Sequence, residues 1–400
     1  MRMVFVTGSL VHGGAERHTI TLLNRLTERG HECHALYVKD DPSQLARLRP
    51  GAGGSIACLE ARRFFDRAAL AELAARFTAL QPSVIVAAND YAAMYAVLAR
   101  WLAGTAAPIL ATFHSTKPRG AREQAKMLIG RCLFPSADCL VFVSSRQCRY
   151  WRRRGLWARR IEVIHNGVDA EAFSPPGPGG GAAVRRRFGF AAGDFVVGMV
   201  AVMRPEKNHV QLLDALALLR AQGVPARALM IGDGPLRGEI EHAAQARGLA
   251  PFVSVTGLQE DVRPYVAACD AVALCSVTEA FSLAAVEAMA MARPVVHSDV
   301  GGAREMIVDG HDGYLFPVGD TAALAGCLAR LADPGRAAAM GASARRSVEA
   351  RFTESAMVDR YERLCAQLCA GLPAPEPPAA AAGPAWPPIN NECETRSQST

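Results

Sequence analysis

Short apolar runs alternate with segments of helical periodicity along most of this chain, and that alternation confines it to parallel sheets joined by crossover helices. Strands are predicted near 3–7, 33–38, 84–88, 108–113 and 139–143. Between them, apolar residues recurring every three to four positions predict helices near 15–29, 68–80, 91–103 and 121–131. A Pro/Gly-rich stretch, 174–181, reads as an interdomain connection. After it a second series begins, with strands near 195–201, 227–231, 252–256, 271–274 and 294–297. Four hundred residues are too many for one ordinary core. The expectation is an α/β protein of two doubly wound units in tandem. From Gly371 the Pro/Ala-rich composition cannot bury a core, so residues 371–400 are expected to be a disordered tail.

Half of the residues are hydrophobic and 20% are charged, which fits a globular chain. No apolar run approaches the roughly 18 residues that a membrane span requires. The N-terminus reads as a strand, Met3 to Thr7, and not as a signal peptide. A soluble, cytoplasmic protein is expected. The eleven cysteines are scattered and form no C-x-x-C pair, so reduced thiols serving as small hydrophobes are the plain reading.

Charge is unevenly placed. Residues 1–166 hold 24 Lys/Arg against 12 Asp/Glu, whereas residues 167–400 hold 20 against 26. The basic excess lies in segments such as Arg149 to Arg160 and Lys117 to Arg131. Either the first lobe meets an anionic surface or lipid phosphate, or it carries a solvated Arg-rich face. Nucleic acid is not an expected partner: aromatics are 6% of the chain, and the base-stacking and groove-reading motifs are missing.

Three stretches can carry chemistry. The first β-to-α connection contains Gly8, Gly13 and Gly14 just before a helix, where backbone N–H groups can approach a phosphate. A glycine turn that only packs helix on sheet fits equally. The second stretch, 201–209, follows a strand and offers Arg204 and Lys207 to a diphosphate, with a solvent-facing Glu206–Lys207 loop pair as the alternative. The third runs from Thr278 to Val296. Glu279 precedes a helix opening near Phe281 and Ser282, and Glu287 lies within it. N–H groups of Phe281, Ser282 and Leu283 would meet a diphosphate, Glu279 a sugar hydroxyl, and Glu287 a ribose diol, since a carboxylate accepts two hydrogen bonds. A capped amphipathic helix with two exposed acids satisfies the spacing as well.

The ordered set HGGAER (12–17), HNGVD (165–169), RPEKN (204–208), IGDGP (231–235), E-x7-E (279–287) and SDVGGAREMIVDGHDGYLFPVGD (298–320) resembles family 4 of the retaining glycosyltransferases over roughly residues 1–370. The resemblance implies the GT-B architecture: two Rossmann-like domains facing a central cleft. Residues 1–165 would form the acceptor domain together with a crossing helix at about 353–370, and residues 166–352 the donor domain. It implies sugar transfer from a nucleotide-diphosphate donor with retention and without a metal or other cofactor. Position by position, Gly14 with Gly13 matches the donor-phosphate turn, Lys207 the phosphate-gripping lysine, Glu279 the donor-sugar acid and Glu287 the ribose acid. His114 matches the first-lobe histidine at the reaction centre. Gly232 and Leu258 lie where the base is read. Val202 departs from a usual Arg, and Ala280 and Ser282 from usual glycines. The expected partners are a UDP- or GDP-sugar and a glycan or polyprenyl-phosphate-linked acceptor, with the basic lobe at the inner face of the cytoplasmic membrane. A sugar-nucleotide epimerase of the same fold and a catalytically silent binding subunit remain the alternatives.

Overall fold

The structure, a computed structural model, describes residues 1–11, 13–114, 128, 130–177 and 179–372. Most of the helix predicted at 121–131, most of the basic segment Lys117 to Arg131, and the tail beyond Leu372 lie outside the described residues.

The first lobe runs β1 (Arg2–Thr7), α1 (Gly14–Glu28), β2 (Glu32–Tyr37), β3 (Ser55–Cys58), α2 (Arg67–Leu80), β4 (Val84–Ala88), α3 (Asn89–Ala103), β5 (Ile109–Phe113), β6 (Cys139–Phe142), α4 (Ser145–Arg152) and β7 (Arg160–Val163). The second runs α5 (Ala182–Arg187), β8 (Phe195–Val200), α6 (His209–Ala221), β9 (Ala226–Ile231), α7 (Arg237–Ala246), β10 (Val253–Val255), α8 (Arg263–Ala267) and β11 (Ala271–Leu274). It continues through α9 (Leu283–Ala290), β12 (Val295–Ser298), α10 (Ala303–Met306), β13 (Gly313–Phe316), α11 (Thr321–Leu331) and α12 (Pro334–Arg351) to α13 (Glu354–Cys369).

All strand pairs are parallel, in the orders β3-β2-β1-β4-β5-β6-β7 and β10-β9-β8-β11-β12-β13. Helices cover both faces of such sheets, so central strands need no polar side. Val84, Ile85, Val86, Ala87 and Ala88 are accordingly all buried, each large aliphatic contributing roughly 1.5–3 kcal/mol. Three strands that the apolar pattern does not reveal, β3, β7 and β13, are all sheet edges. An edge strand pairs on one side only and can be short and partly polar.

In each sheet the winding reverses beside the first strand, between β1 and β4 and between β8 and β11. A crevice opens there at the carboxyl ends of the strands. The glycine turn after β1, the loop after β8 and the loop before α9 therefore open onto that crevice.

The chain crosses between lobes twice, side by side. Val168 N–H donates to Phe352 O at 2.9 Å, and Glu354 N–H donates to Val168 O at 2.9 Å. A β-carbon on Gly167 would stand 2.5 Å from Thr353 O, so only glycine permits the two passages to touch. The outward crossing thus lies upstream of 174–181. Phe173 and Val184, on either side of that stretch, already belong to the second core. Helix α13 returns to the first lobe, where Met357, Val358, Tyr361 and Cys365 pack with Met3, Phe5, Leu23 and Val86. Arg25 of α1 fastens this junction by pairing with Asp169 at 2.9 Å and with Glu354.

Candidate active site

The loop that leaves β8 closes in a short 3-10 turn, Pro205–Lys207, and directs the Lys207 ammonium to the Glu279 carboxylate. Lys207 thus reaches across to an acid of another loop instead of standing in open solvent. The Ser276 hydroxyl also donates to Glu279, at 3.4 Å. Burial pushes the Glu279 carboxyl up, but the Lys207 charge and hydrogen bond outweigh it and hold the acid below its ordinary range. His297, fully buried on β12, adds to that field. Its Nδ1 lies 2.6 Å from Ser298 O, and a carbonyl can only accept, so this nitrogen carries the proton.

The peptide from Glu279 to Ser282 rests on the start of the 298–320 motif. A β-carbon on Gly301, at φ +52°, would stand 1.9 Å from Glu279 O, and Gly302 N–H donates to Ala280 O at 2.8 Å. The glycine pair is thus the floor under the loop. Helix α9 starts at Leu283, two residues later than Phe281, because the Ser282 hydroxyl caps it by accepting the Ala285 N–H at 3.3 Å. Of the side chains that replace usual glycines, Ala280 packs in the second core and Ser282 folds back as this cap. Phe281 is also buried, stacked on His165 with ring centroids 5.2 Å apart, so its side chain is committed to packing.

Glu287 lies one turn into α9 with its side chain 5% exposed. Its partner comes from the other lobe: Arg17 Nη2 on α1 lies 2.7 Å from Glu287 Oε1. Burial raises the Glu287 carboxyl above its ordinary range despite this cation. The two helix starts meet here, since a β-carbon on Gly14 would stand 3.7 Å from Leu283 Cδ1. Gly13 caps α1 with extended backbone. Burial raises the carboxyl of Glu16 in the first turn of α1, and the charge of Arg204, reaching it from the second lobe, opposes that rise. Gly232 forms an antiparallel bridge with Gly257, beside the exposed Leu258.

His114, at the end of β5, stacks obliquely on His18 of α1 with centroids 4.6 Å apart. Its backbone N–H donates to Asn89 Oδ1 at 3.1 Å, and its Nε2 is buried with no hydrogen-bond partner among the described residues. Desolvation lowers the His114 pKa to about 4, leaving a neutral ring.

The sequence reading missed Arg17, His18, His297 and one further residue, Glu305. The Glu305 carboxylate, on α10 of the second lobe, accepts the N–H groups of Ser145 at 2.8 Å and Arg146 at 2.9 Å, the first turn of α4 in the first lobe. His165 Nε2 reaches it at 2.9 Å. Arg17, His165 and Glu305 sit inside quoted motifs, so the motifs were the available signal, but nothing local says what each side chain faces. Among the described residues no group of three or more His, Cys, Asp or Glu is placed to hold a metal ion, and no helix is long and apolar enough to cross a membrane.

Two parallel α/β lobes opposed at their strand ends define a GT-B protein. The solved structure of Anabaena HepE in complex with UDP-glucose superposes with a TM-score of 0.80 at 22% identity, covering 93% of this chain and all of that one. The sequence model described as Glycosyltransferase Family 4 matches residues 12–172, and that described as Glycosyl transferases group 1 matches residues 194–333. These matches take in both lobes, and the chain belongs to glycosyltransferase family 4. EpsD of Bacillus subtilis (strain 168) is 31% identical over 191 residues, 47% of this chain and 50% of EpsD, so the chain spans about half of that relative's length. N-acetyl-alpha-D-glucosaminyl L-malate synthase of Bacillus anthracis is 26% identical over 363 residues, 88% of this chain and 93% of its own.

Proposed function

We propose that this chain transfers a sugar from a UDP- or GDP-sugar to an acceptor hydroxyl, with retention at the anomeric carbon and without a metal. One observation carries the reading: a cation (Lys207), an acid beside it (Glu279) and a helix start (Leu283) adjoin a second buried acid (Glu287), all in the crevice between lobes. Lys207 and the N–H groups of Leu283 and Ala284 neutralise charge as the diphosphate leaves, an electrostatic task that elsewhere falls to a metal ion. Arg204 adds charge from the same loop. Glu279 accepts from a hydroxyl of the donor sugar, and Glu287 from the ribose diol. His114, kept neutral by burial, faces the reacting sugar from the first lobe.

The sugar passes through an oxocarbenium-like state, and a donor phosphate oxygen takes the acceptor proton. The acceptor is a lipid-linked glycan of polysaccharide or glycoconjugate assembly, met by the basic first lobe at the inner membrane face. The complex of HepE with UDP-glucose supports a nucleotide-sugar donor. Calorimetric titration with UDP, GDP and their sugars tests the donor: saturable binding of one nucleotide is expected, and no binding of any would remove the reading. Sedimentation with anionic liposomes tests the membrane contact, and indifference to lipid charge counts against it.

A further inference from the structure

We propose that Arg17 is a self-ligand of the nucleotide pocket, a positioning residue that holds Glu287 while the pocket is empty and that the donor must displace. The proposal rests on the ribose role of Glu287 given above.

The geometry is specific. Arg17 projects from the first turn of α1 across the crevice, and its guanidinium meets Glu287 Oε1 at 2.7 Å, the carboxylate assigned to the ribose diol. The same guanidinium lies 5.9 Å from the Phe173 ring, on the segment that has just crossed between lobes. Beside the ion pair is a cavity of about 90 Å³, lined in part by Arg17, Gly167, Phe173, Leu283 and Glu287. Pockets that bury a drug-sized ligand run to roughly 300–1,000 Å³. The space beside Glu287 is thus smaller than such a pocket, and Arg17 of one lobe occupies the carboxylate of the other that is assigned to the nucleotide.

Among the described residues that line the cavity, no other charge replaces Arg17. Asp169 and Glu354, on the hinge side of the cavity, share the sign of Glu287 and are held by Arg25. His18, at the same wall, is kept neutral by burial. Glu287 is almost fully enclosed, so without Arg17 its carboxylate would have no counter-charge among the described residues and would wait for the ribose diol to donate hydrogen bonds to it. Arg17 itself is 40% exposed and remains tethered at the entrance once displaced. The pair thus makes lobe closure and ribose binding compete for one carboxylate oxygen.

A partly exposed ion pair is worth at most about 1 kcal/mol, a factor of about five in affinity. Arg17→Ala should therefore bind UDP or GDP about five-fold more tightly than the wild type. Calorimetry should be run well above the carboxylate range, so that an unpaired Glu287 stays ionised. With a nucleotide-sugar donor, KM should fall while kcat is unchanged or lower. Arg17→Lys retains the charge and should stay near wild-type affinity, and melting temperatures of both variants confirm folding. Equal or weaker nucleotide binding by folded Arg17→Ala, against a wild type that does bind, overturns this role alone. Failure of the wild type to bind either nucleotide overturns both this role and the proposed function.

Discussion

Glu305 and His165 meet 2.9 Å apart, and each serves a different lobe. The same carboxylate accepts two N–H groups at the start of α4, where the helix dipole favours negative charge. Burial raises the Glu305 carboxyl, but His165 and these backbone donors outweigh it and leave it below its ordinary range. A depressed folded value means that the contribution to stability is complete above the unfolded glutamate value and is lost as pH falls through the folded one. We predict that Glu305→Ala costs about 2 kcal/mol, as charge-assisted bonds to a helix start imply. Urea unfolding of both proteins across the acid range checks this, and a difference that does not shrink on acidification would refute the assignment.

Removing Lys207 should damage turnover far more than folding. Lys207→Ala strips the charge partner from Glu279 and from the proposed leaving group. A loss of about a hundred- to a thousand-fold in kcat is expected, the range for deleting one transition-state donor. Nucleotide release measured at saturating donor reads this directly. A rate near wild type would remove Lys207 from the mechanism.

His114 is expected to leave no imprint on the pH–rate profile near neutrality, because desolvation lowers its pKa to about 4. His209, also lowered to about 4 by burial and the nearby Lys207, behaves alike. Both stay neutral when folded but take up protons near the ordinary histidine value when unfolded. Stability should therefore fall as pH drops from roughly 6.5 toward 4 by up to about 1.4 kcal/mol per pH unit for each ring. Urea midpoints of the wild type and of His209→Gln over that window should converge at low pH. Parallel curves would place the titration elsewhere.

The hinge gives a steric prediction. A methyl on Gly167 would stand 2.5 Å from Thr353 O and 2.8 Å from Glu354 Cα, both backbone, so the crossings must separate. Gly167→Ala should lower stability by about 1–3 kcal/mol, the usual cost of overpacking. Differential scanning calorimetry would register the change, and an unaltered melting temperature would mean that the crossings are loosely packed.

Much of the architecture was legible in the residues. Buried central strands such as Val84 to Ala88 announce themselves because both faces are covered, whereas β3, β7 and β13 do not, since an edge strand is only half enclosed. The spacing of Glu279 and Glu287 predicts two separate acids, and the structure gives each its own cation. The identity of those cations was not legible. Lys207 is 72 positions from Glu279, and Arg17 belongs to the other lobe.

The sequence by itself determined the alternation of strand and helix, the two-lobed division and the glycines and acids placed at the ends of strands, because hydrophobic periodicity and turn chemistry act over a few neighbouring residues. Only the tertiary structure decided that Arg17 faces Glu287 and that Glu305 caps a helix of the opposite lobe. Pairing of charges falls off within a few ångströms, and such distances exist only once the double crossing at Val168 and Thr353 has brought the two lobes together.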